Sequence, residues 1–390
     1  MTVSILIVSY NVCYFLEHCL LSLTEAVAKA SESIPGFKAG IIVTDNQSND
    51  PTMRLLPAKF PGIRFIDAGE NLGFGKANNS MLEGLQSEYV FFLNPDTIVP
   101  DDFFLKQLKY ISDEKTGACG FRMIDGTGSY LPESKRGFPG LWNAFTKMSG
   151  LSSFFPHSRL LAGYYQGHLN AKKNQVVPVL SGAAMFVRRK VLDVTGGFDE
   201  RFFMYAEDID LSYRIVEAGY INRYIADNTI IHFKGESTRK DRKYIEHFYG
   251  AMILFVKKHF KGFGAAVYTR LLELLITARI AVSPKSDTKR PGKSSVTPFD
   301  SPLLLGDRSS CKLLEGLLAQ RLIKPADVKP RVTIYCLGKT FGYGKLIHAL
   351  ETAKETPVLI YHPNAAAVIG SHSKNEQGSI FLLPGLSPIS

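Results

Sequence analysis

No stretch of this 390-residue chain reaches the ~18 uncharged apolar residues that a membrane-spanning helix needs. The best candidate, Phe255 to Val282, is interrupted by Lys257, Lys258, Lys261, Arg270, Glu273 and Arg279. Such a basic amphipathic segment can lie on an anionic membrane surface, or it can pack as a helical hairpin with its charges in water. Cysteine is scarce. Cys13, Cys19, Cys119, Cys311 and Cys336 are odd in number and form no C-x-x-C pair. That excludes a readable zinc or disulfide framework and points to a reducing cytoplasm. The opening MTVSILIVSYNV has neither a basic leader nor a cleavage site, so it reads as a buried strand and not as a secretory signal. No repeat of roughly 20 to 50 residues recurs. The net charge of +10 favours anionic partners, but no nucleic-acid reader motif accompanies it, and no nucleic acid is expected.

What is present is enough apolar material, 45% of residues, to bury a large core. Short apolar runs recur at Val3–Ser9, Ile41–Thr44, Ile63–Ile66 and Tyr89–Leu93, each ending in polar residues. Helical spacing follows at Phe15–Leu23 and around Ala77–Leu85. Strand, polar loop and helix alternating in this way predict a Rossmann-like, mostly parallel sheet flanked by helices. Ligands in such sheets sit beyond the carboxyl ends of the strands. Further on, Asp125–Gly128 predicts a hairpin turn. Residues 131–175 are irregular, basic and aromatic, as suits a substrate-facing insertion. Val176–Val187 reads as a strand containing Gly182, and Glu207–Ala218 as a helix with Gly219 as its C-cap. The expected organisation is an α/β domain over 1–235, a helical extension over 236–282, a Ser/Pro/Lys-rich linker over 283–302, and a small βαβ-like appendix over 303–390 whose role the sequence does not give.

The polar strand ends carry the chemistry. Asp96, after Asn94 and Pro95, can hold Mg²⁺ or Mn²⁺ against phosphate oxygens, with His232 as a second ligand. Taken alone, Asn-Pro-Asp is better explained as a turn, and a lone His is more often an ordinary core or surface residue. Asp45, Asn46 and the loop Asn71–Asn78 with Gly73 carry carboxylates and amides suited to the imide edge of a uracil or thymine. Glu207 and Asp208 open a helix, where its dipole favours acids. They point about a third of a turn apart, so one can face a cleft as general base. Asp210 and Arg214 pair at i,i+4.

The ordered set V-S-Y-N (8–11), D-N-x-S-x-D (45–50), N-L-G-F-G-x-A (71–77) with Asn78 and Asn79, L-N-P-D (93–96), G-G-F-D-E-x-F-F-x-Y-x-E-D-x-D-L-x-x-R (196–214) and His232 resembles family 2 glycosyltransferases. Within these it is similar to the bacterial rhamnosyltransferase-like branch that builds cell-surface polysaccharide. The resemblance covers roughly residues 1–235. It implies a GT-A fold, a nucleotide-diphosphate sugar donor, a divalent metal, and inversion with no covalent intermediate. The acceptor it implies is a polysaccharide or lipid-linked saccharide, with rhamnose among the candidate sugars. It assigns Asp208 as catalytic base beside Glu207, and Asp96 and His232 to the metal. Ser9, Asn11, Asp45, Asn46, Asn71, Gly73, Asn78, Asn94 and Gly182 go to the nucleotide-sugar, with Asp45 on the base. Asn94 stands where the family's fuller D-x-D has its first acid. A cytoplasmic location follows, with peripheral contact on the inner membrane face left open. A non-catalytic nucleotide-sugar or glycan-binding module of the same fold is the alternative. Gly338-Lys339-Thr340 and Gly344-Lys345 do not make a P-loop: the glycine spacing is one residue too long, and Leu346 replaces Ser or Thr.

Overall fold

The computed structural model of the chain describes residues 1–233, 242–262, 264, 266–267, 269–274, 302–318, 332–352, 358–371 and 378–383. The strands of the first part are β1 Thr2–Ser9, β2 Lys38–Asp45, β3 Arg64–Asp67, β4 Tyr89–Leu93, β5 Thr97–Ile98 and β6 Thr116–Ile124. They are followed by β7 Lys135–Arg136, β8 Gln175–Val176, β9 Val179–Leu180, β10 Ala184–Arg188 and β11 Ile221–His232. The main sheet runs β3-β2-β1-β4-β10-β6-β11-β5, and β8 pairs with β11 off this path. β3, β2, β1 and β4 are parallel. β10 runs antiparallel between β4 and β6, while β6 and β11 are again parallel.

The apolar runs became strands because both faces of the sheet are covered. Alternate residues therefore serve different cores. Ile5, Ile7, Phe91 and Leu93 join one cluster; Leu6, Val90 and Phe92 join the other. The helices are α1 Cys13–Ser33, α2 Thr52–Lys59, α3 Gly73–Leu82, α4 Phe103–Ile111, α5 Leu141–Met148, α6 Leu151–Phe154, α7 Arg189–Thr195, α8 Glu207–Glu217 and α9 Arg242–His259. The first cluster takes in α1 and α4, and the second takes in residues of α3, α7 and α8.

One expected strand needed revision, and one strand was not expected. Val176–Val187 is not one strand: it breaks into β8, β9 and β10, with Ser181-Gly182-Ala183 between the last two. Gly182 sits at that break because its backbone turns to meet α8. The nine-residue β6 carries no apolar run, since Gly117 and Gly120 interrupt it. Those glycines are required by close packing. An added Cβ would come within 2.7 Å of Tyr220 at Gly117 and within 2.8 Å of Leu180 at Gly120.

The C-terminal part holds β12 Leu303–Gly306, α10 Arg308–Leu318, β13 Thr333–Cys336, α11 Tyr343–Thr352, β14 Val358–Tyr361, β15 Ala367–Ser371 and β16 Ser379–Leu382. β12, β13 and β14 are parallel; β15 and β16 add on antiparallel. This exceeds the simple βαβ unit expected. The small sheet shares the first core, where Tyr343, Leu346, Leu350 and Ile369 pack with residues of α1. His18 of α1 is buried against it, its Nε2 3.0 Å from the Ala367 carbonyl, and burial pushes its pKa down to about 3. The Gly344 N–H, where a P-loop would meet phosphate, instead donates to Asp101 at 2.9 Å. Residues 283–301 of the expected linker, and Phe263, Leu275 and Arg279 of the basic segment, lie outside the described residues.

Candidate active site

β1, β2 and β4 end side by side, and their last residues meet as the topology requires. Ser9 is in register with Asp45, and Asp45 with Asp67. Buried Asp45 accepts the Ser48 hydroxyl at 2.7 Å and the Ser48 N–H at 2.8 Å. Burial raises its pKa against the pull of those two bonds. Asn11, in the left-handed region at φ 55°, ties the neighbouring loop down. It donates its N–H to Ser48 Oγ and accepts from the Asn49 N–H at 2.7 Å.

Asn71 accepts the Gly73 N–H at 3.0 Å, opening α3. Gly73 is at φ +75°, and a Cβ there would come within 2.5 Å of the Phe203 carbonyl, so only glycine fits. Asn46 donates to the Gly73 carbonyl at 3.1 Å, and Asn78 to the Phe74 carbonyl at 3.0 Å. The remaining oxygens of Asn46 and Asn78, and the hydroxyls of Ser9 and Thr44, are buried without partners among the described residues. Each unmade bond costs about 1–3 kcal/mol. Those of Ser9, Thr44 and Asn46 lie at or just beyond the ends of β1 and β2.

Asp96 and His232 come together across 136 residues of sequence. The hydrogen-bonded pairing of β5 with β11 places His232 opposite Thr97. His232 Nε2 then lies 3.3 Å from Asp96 Oδ1 and 3.4 Å from Asn94 Nδ2. His232 Nδ1 is buried without a partner among the described residues. No group of three His, Cys, Asp or Glu gathers among the described residues. One carboxylate and one imidazole fit a hard divalent ion that takes its remaining ligands from phosphate and water.

The acidic pair sits at the start of α8. Tyr205 and Ala206, immediately before it, both have positive φ, 70° and 61°. Two consecutive non-glycine residues in this region store strain of order 1–3 kcal/mol each. Asp208 Oδ2 accepts the Gly182 N–H at 2.8 Å and a buried ion pair from Arg136. Arg136 also donates to the Leu180 carbonyl at 3.1 Å. A Cβ on Gly182 would lie 3.0 Å from Asp208 Cβ, which explains glycine at the strand break. Glu207 Oε2 has no partner among the described residues. Burial and the adjacent Asp208 charge push the Glu207 carboxyl up to about 8. The two acids, Arg136, Tyr164, Tyr205, Ala206, Ile209 and Met252 line a cavity of about 70 Å³.

Arg136 and Tyr164 were not singled out by the sequence. Each belongs to the irregular insertion, and only its basic and aromatic character hinted at them. Asn79 also gains a role. Its amide bridges the Phe198 N–H (2.9 Å) and carbonyl (2.8 Å), stapling α3 to the loop that leads into α8. Asp210 pairs with Arg214 at 2.8 Å as expected, and further accepts Lys258 at 2.6 Å, with His259 Nε2 at 2.7 Å. Lys258 also meets Asp199. It is therefore committed to holding α9 against α8 and is not free to meet lipid.

A family model for "Glycosyl transferase family 2" matches residues 4–196, which include Asp45, Asp96 and Gly182. The chain is 30% identical over 246 residues, 60% of its length and 76% of the relative's, to the N-acetylglucosaminyl-diphospho-decaprenol L-rhamnosyltransferase of Mycobacterium tuberculosis. It is 29% identical over 211 residues, 51% of its length and 74% of the relative's, to the rhamnosyltransferase WbbL of Escherichia coli. A mannosyltransferase from Pyrobaculum calidifontis, solved with GDP-Man and Mn²⁺, superposes over 72% of this chain and 70% of that one. Its TM-score is 0.45 at 17% identity, too loose a likeness to inform the site. With the family model and these relatives in agreement, the chain belongs to glycosyl transferase family 2 and is a rhamnosyltransferase-like glycosyltransferase.

Proposed function

We propose that this enzyme transfers a sugar, with rhamnose as the leading candidate, from a nucleotide-diphosphate donor to a hydroxyl of a lipid-linked saccharide, with inversion. The observation that carries the reading is the Glu207–Asp208 pair on its strained turn, over a cavity and braced by Arg136. Both bonds to Asp208 fall on Oδ2, so Oδ1 is the oxygen that takes the proton from the acceptor hydroxyl. Arg136 holds that carboxylate in place. The acceptor oxygen then attacks the anomeric carbon on the face opposite the departing diphosphate, and no enzyme nucleophile is needed.

On the donor side, Asp45, Asn46 and Asn78 receive the base and ribose, and Ser9, Asn11, Asn71, Gly73, Asn94 and Gly182 complete the walls. The unpartnered oxygens of Ser9, Asn46 and Asn78 support this assignment. A divalent ion, Mg²⁺ or Mn²⁺, held by Asp96 and His232, supplies positive charge to the diphosphate when bound. In this reading residues 1–235 are the catalytic unit and 303–390 brace its α1 face. The lipid-linked acceptor is suggested by the name of the mycobacterial relative. Among the described residues no helix is long and apolar enough to cross a membrane; the lipid-linked acceptor of this reading would have the enzyme work peripherally on the inner face.

The test is a donor panel including thymidine-diphosphate rhamnose, with a diphospho-lipid N-acetylglucosamine acceptor, with and without Mn²⁺. Nucleoside diphosphate release that needs both acceptor and metal, and a product of inverted anomeric configuration, are the expected results. Retained configuration, or no release with any donor, refutes the reading.

A further inference from the structure

We propose that the face formed by α5, α6 and the loop to Leu160 is a docking surface for an anionic lipid bilayer. Four large apolar side chains lie exposed within nineteen residues: Trp142 (47%), Phe154 (80%), Phe155 (54%) and Leu160 (66%). The Trp142 indole N–H donates to the Leu160 carbonyl at 2.8 Å, so these two belong to one patch. Aromatic rings with a satisfied polar edge are the side chains that settle at the headgroup level of a bilayer. A clustered apolar patch on a water-exposed surface needs an occupant.

The charge around it says which. From Ser134 to Leu192 the chain has no Asp or Glu, against nine Lys and Arg. Among these, Arg159, Lys172 and Lys173 are exposed. An apolar patch on a segment whose own charges are all positive complements anionic headgroups. The basic segment after Phe255 is the weaker candidate. Lys258 is tied to Asp199 and Asp210. Lys257 and Arg270 both pair with Glu273, at 3.6 and 3.1 Å, which neutralises part of that strip.

The location suits the enzyme. The insertion that carries the patch also supplies Arg136 and Tyr164 to the cavity beside Glu207 and Asp208. A bilayer at this face would present a lipid-linked acceptor to the cavity from the side. That purpose rests on the acceptor proposed above; the surface itself does not.

The experiment is co-sedimentation of the full chain with vesicles of phosphatidylcholine alone and of phosphatidylcholine mixed with phosphatidylglycerol. The wild-type chain should bind the mixed vesicles and be released by salt. Phe154→Ser with Phe155→Ser should weaken binding about tenfold or more, as expected for removing two membrane-buried aromatics. Arg159→Gln, Lys172→Gln and Lys173→Gln together should flatten the salt dependence. Transfer to a short-chain, water-soluble acceptor should persist in the serine variant. Wild-type chain left in the supernatant with anionic vesicles overturns the proposal. So does wild-type binding by the serine variant, equal binding to neutral vesicles, or self-association through the patch in place of vesicle binding. Vesicle binding by a chain that transfers no sugar would leave this surface standing and remove the proposed function.

Discussion

Replacing Glu207 by Gln should stabilise the enzyme at neutral pH and do nothing for it in mild acid. The carboxyl ionises at its ordinary 4.5 in the unfolded chain but only at about 8 in the folded one. Its native pKa is raised, so its favourable contribution is complete below 4.5. That contribution is lost steadily as pH climbs from 4.5 toward about 8, because the unfolded state sheds the proton first. Each pH step of one is worth about 1.4 kcal/mol, so at pH 7 the ceiling is about 3 kcal/mol. The Arg136 charge nearby works in the opposite direction. Glutamine stays neutral at every pH and nearly matches the shape. It should therefore gain about 1–3 kcal/mol at pH 7.5, a rise in Tm of about 2–6 °C, and should coincide with wild type near pH 4.5. Differential scanning fluorimetry across this range reads it directly. A constant Tm difference at all pH values, or a loss of stability at pH 7.5, would refute the argument that burial holds Glu207 protonated. A stabilised variant that loses activity is the usual signature of a site kept under strain for function.

Further outcomes follow from the same geometry. Asp208→Asn should cut turnover by about 100-fold or more. It should also lower stability by about 3 kcal/mol, because the buried Arg136 cation is left unpaired; wild-type turnover in a steady-state assay removes Asp208 as base. Asp96→Ala should weaken donor binding in Mn²⁺ more than in excess chelator, measured by calorimetry, and equal weakening in both would take Asp96 out of the metal site. Gly73→Ala should cost about 1–3 kcal/mol through its positive φ and the contact with Phe203. Gly62→Ala, in open space, should stay within about 0.5 kcal/mol of wild type, and equal melting of the two would contradict the close approach. Asp101→Ala removes the acceptor for the Gly344 N–H at the start of α11. It should cost about 1 kcal/mol and speed proteolysis of the C-terminal sheet; unchanged cleavage would mean that this contact does not hold the sheet in place.

Much of the fold was legible because parallel, doubly covered strands must be apolar throughout and must end where polar loops begin. β1, β2 and β4 announce themselves that way, and their ends carry Ser9, Asp45 and Asn94. β6 escaped notice because close packing against Tyr220 and Leu180 demanded glycine where a strand pattern wants side chains. β15 escaped for the same reason: Gly370 interrupts it, and a Cβ there would come within 2.3 Å of the Val358 carbonyl.

The sequence alone determined which residue types stand at the strand ends and at the start of α8, because local rules govern them: strand termination, helix polarity and the conformational freedom of glycine. It could not determine which of those residues meet. Asp96 faces His232 only because β5 pairs with β11. Arg136 reaches Asp208 only because β7 pairs with β9, whose Leu180 carbonyl holds the guanidinium. Lys258 looked like a lipid contact until α9 packed on α8 and gave it to Asp199 and Asp210. These are contacts between distant segments. Their energies depend on burial and on the neighbouring charge, and neither exists until the chain has folded.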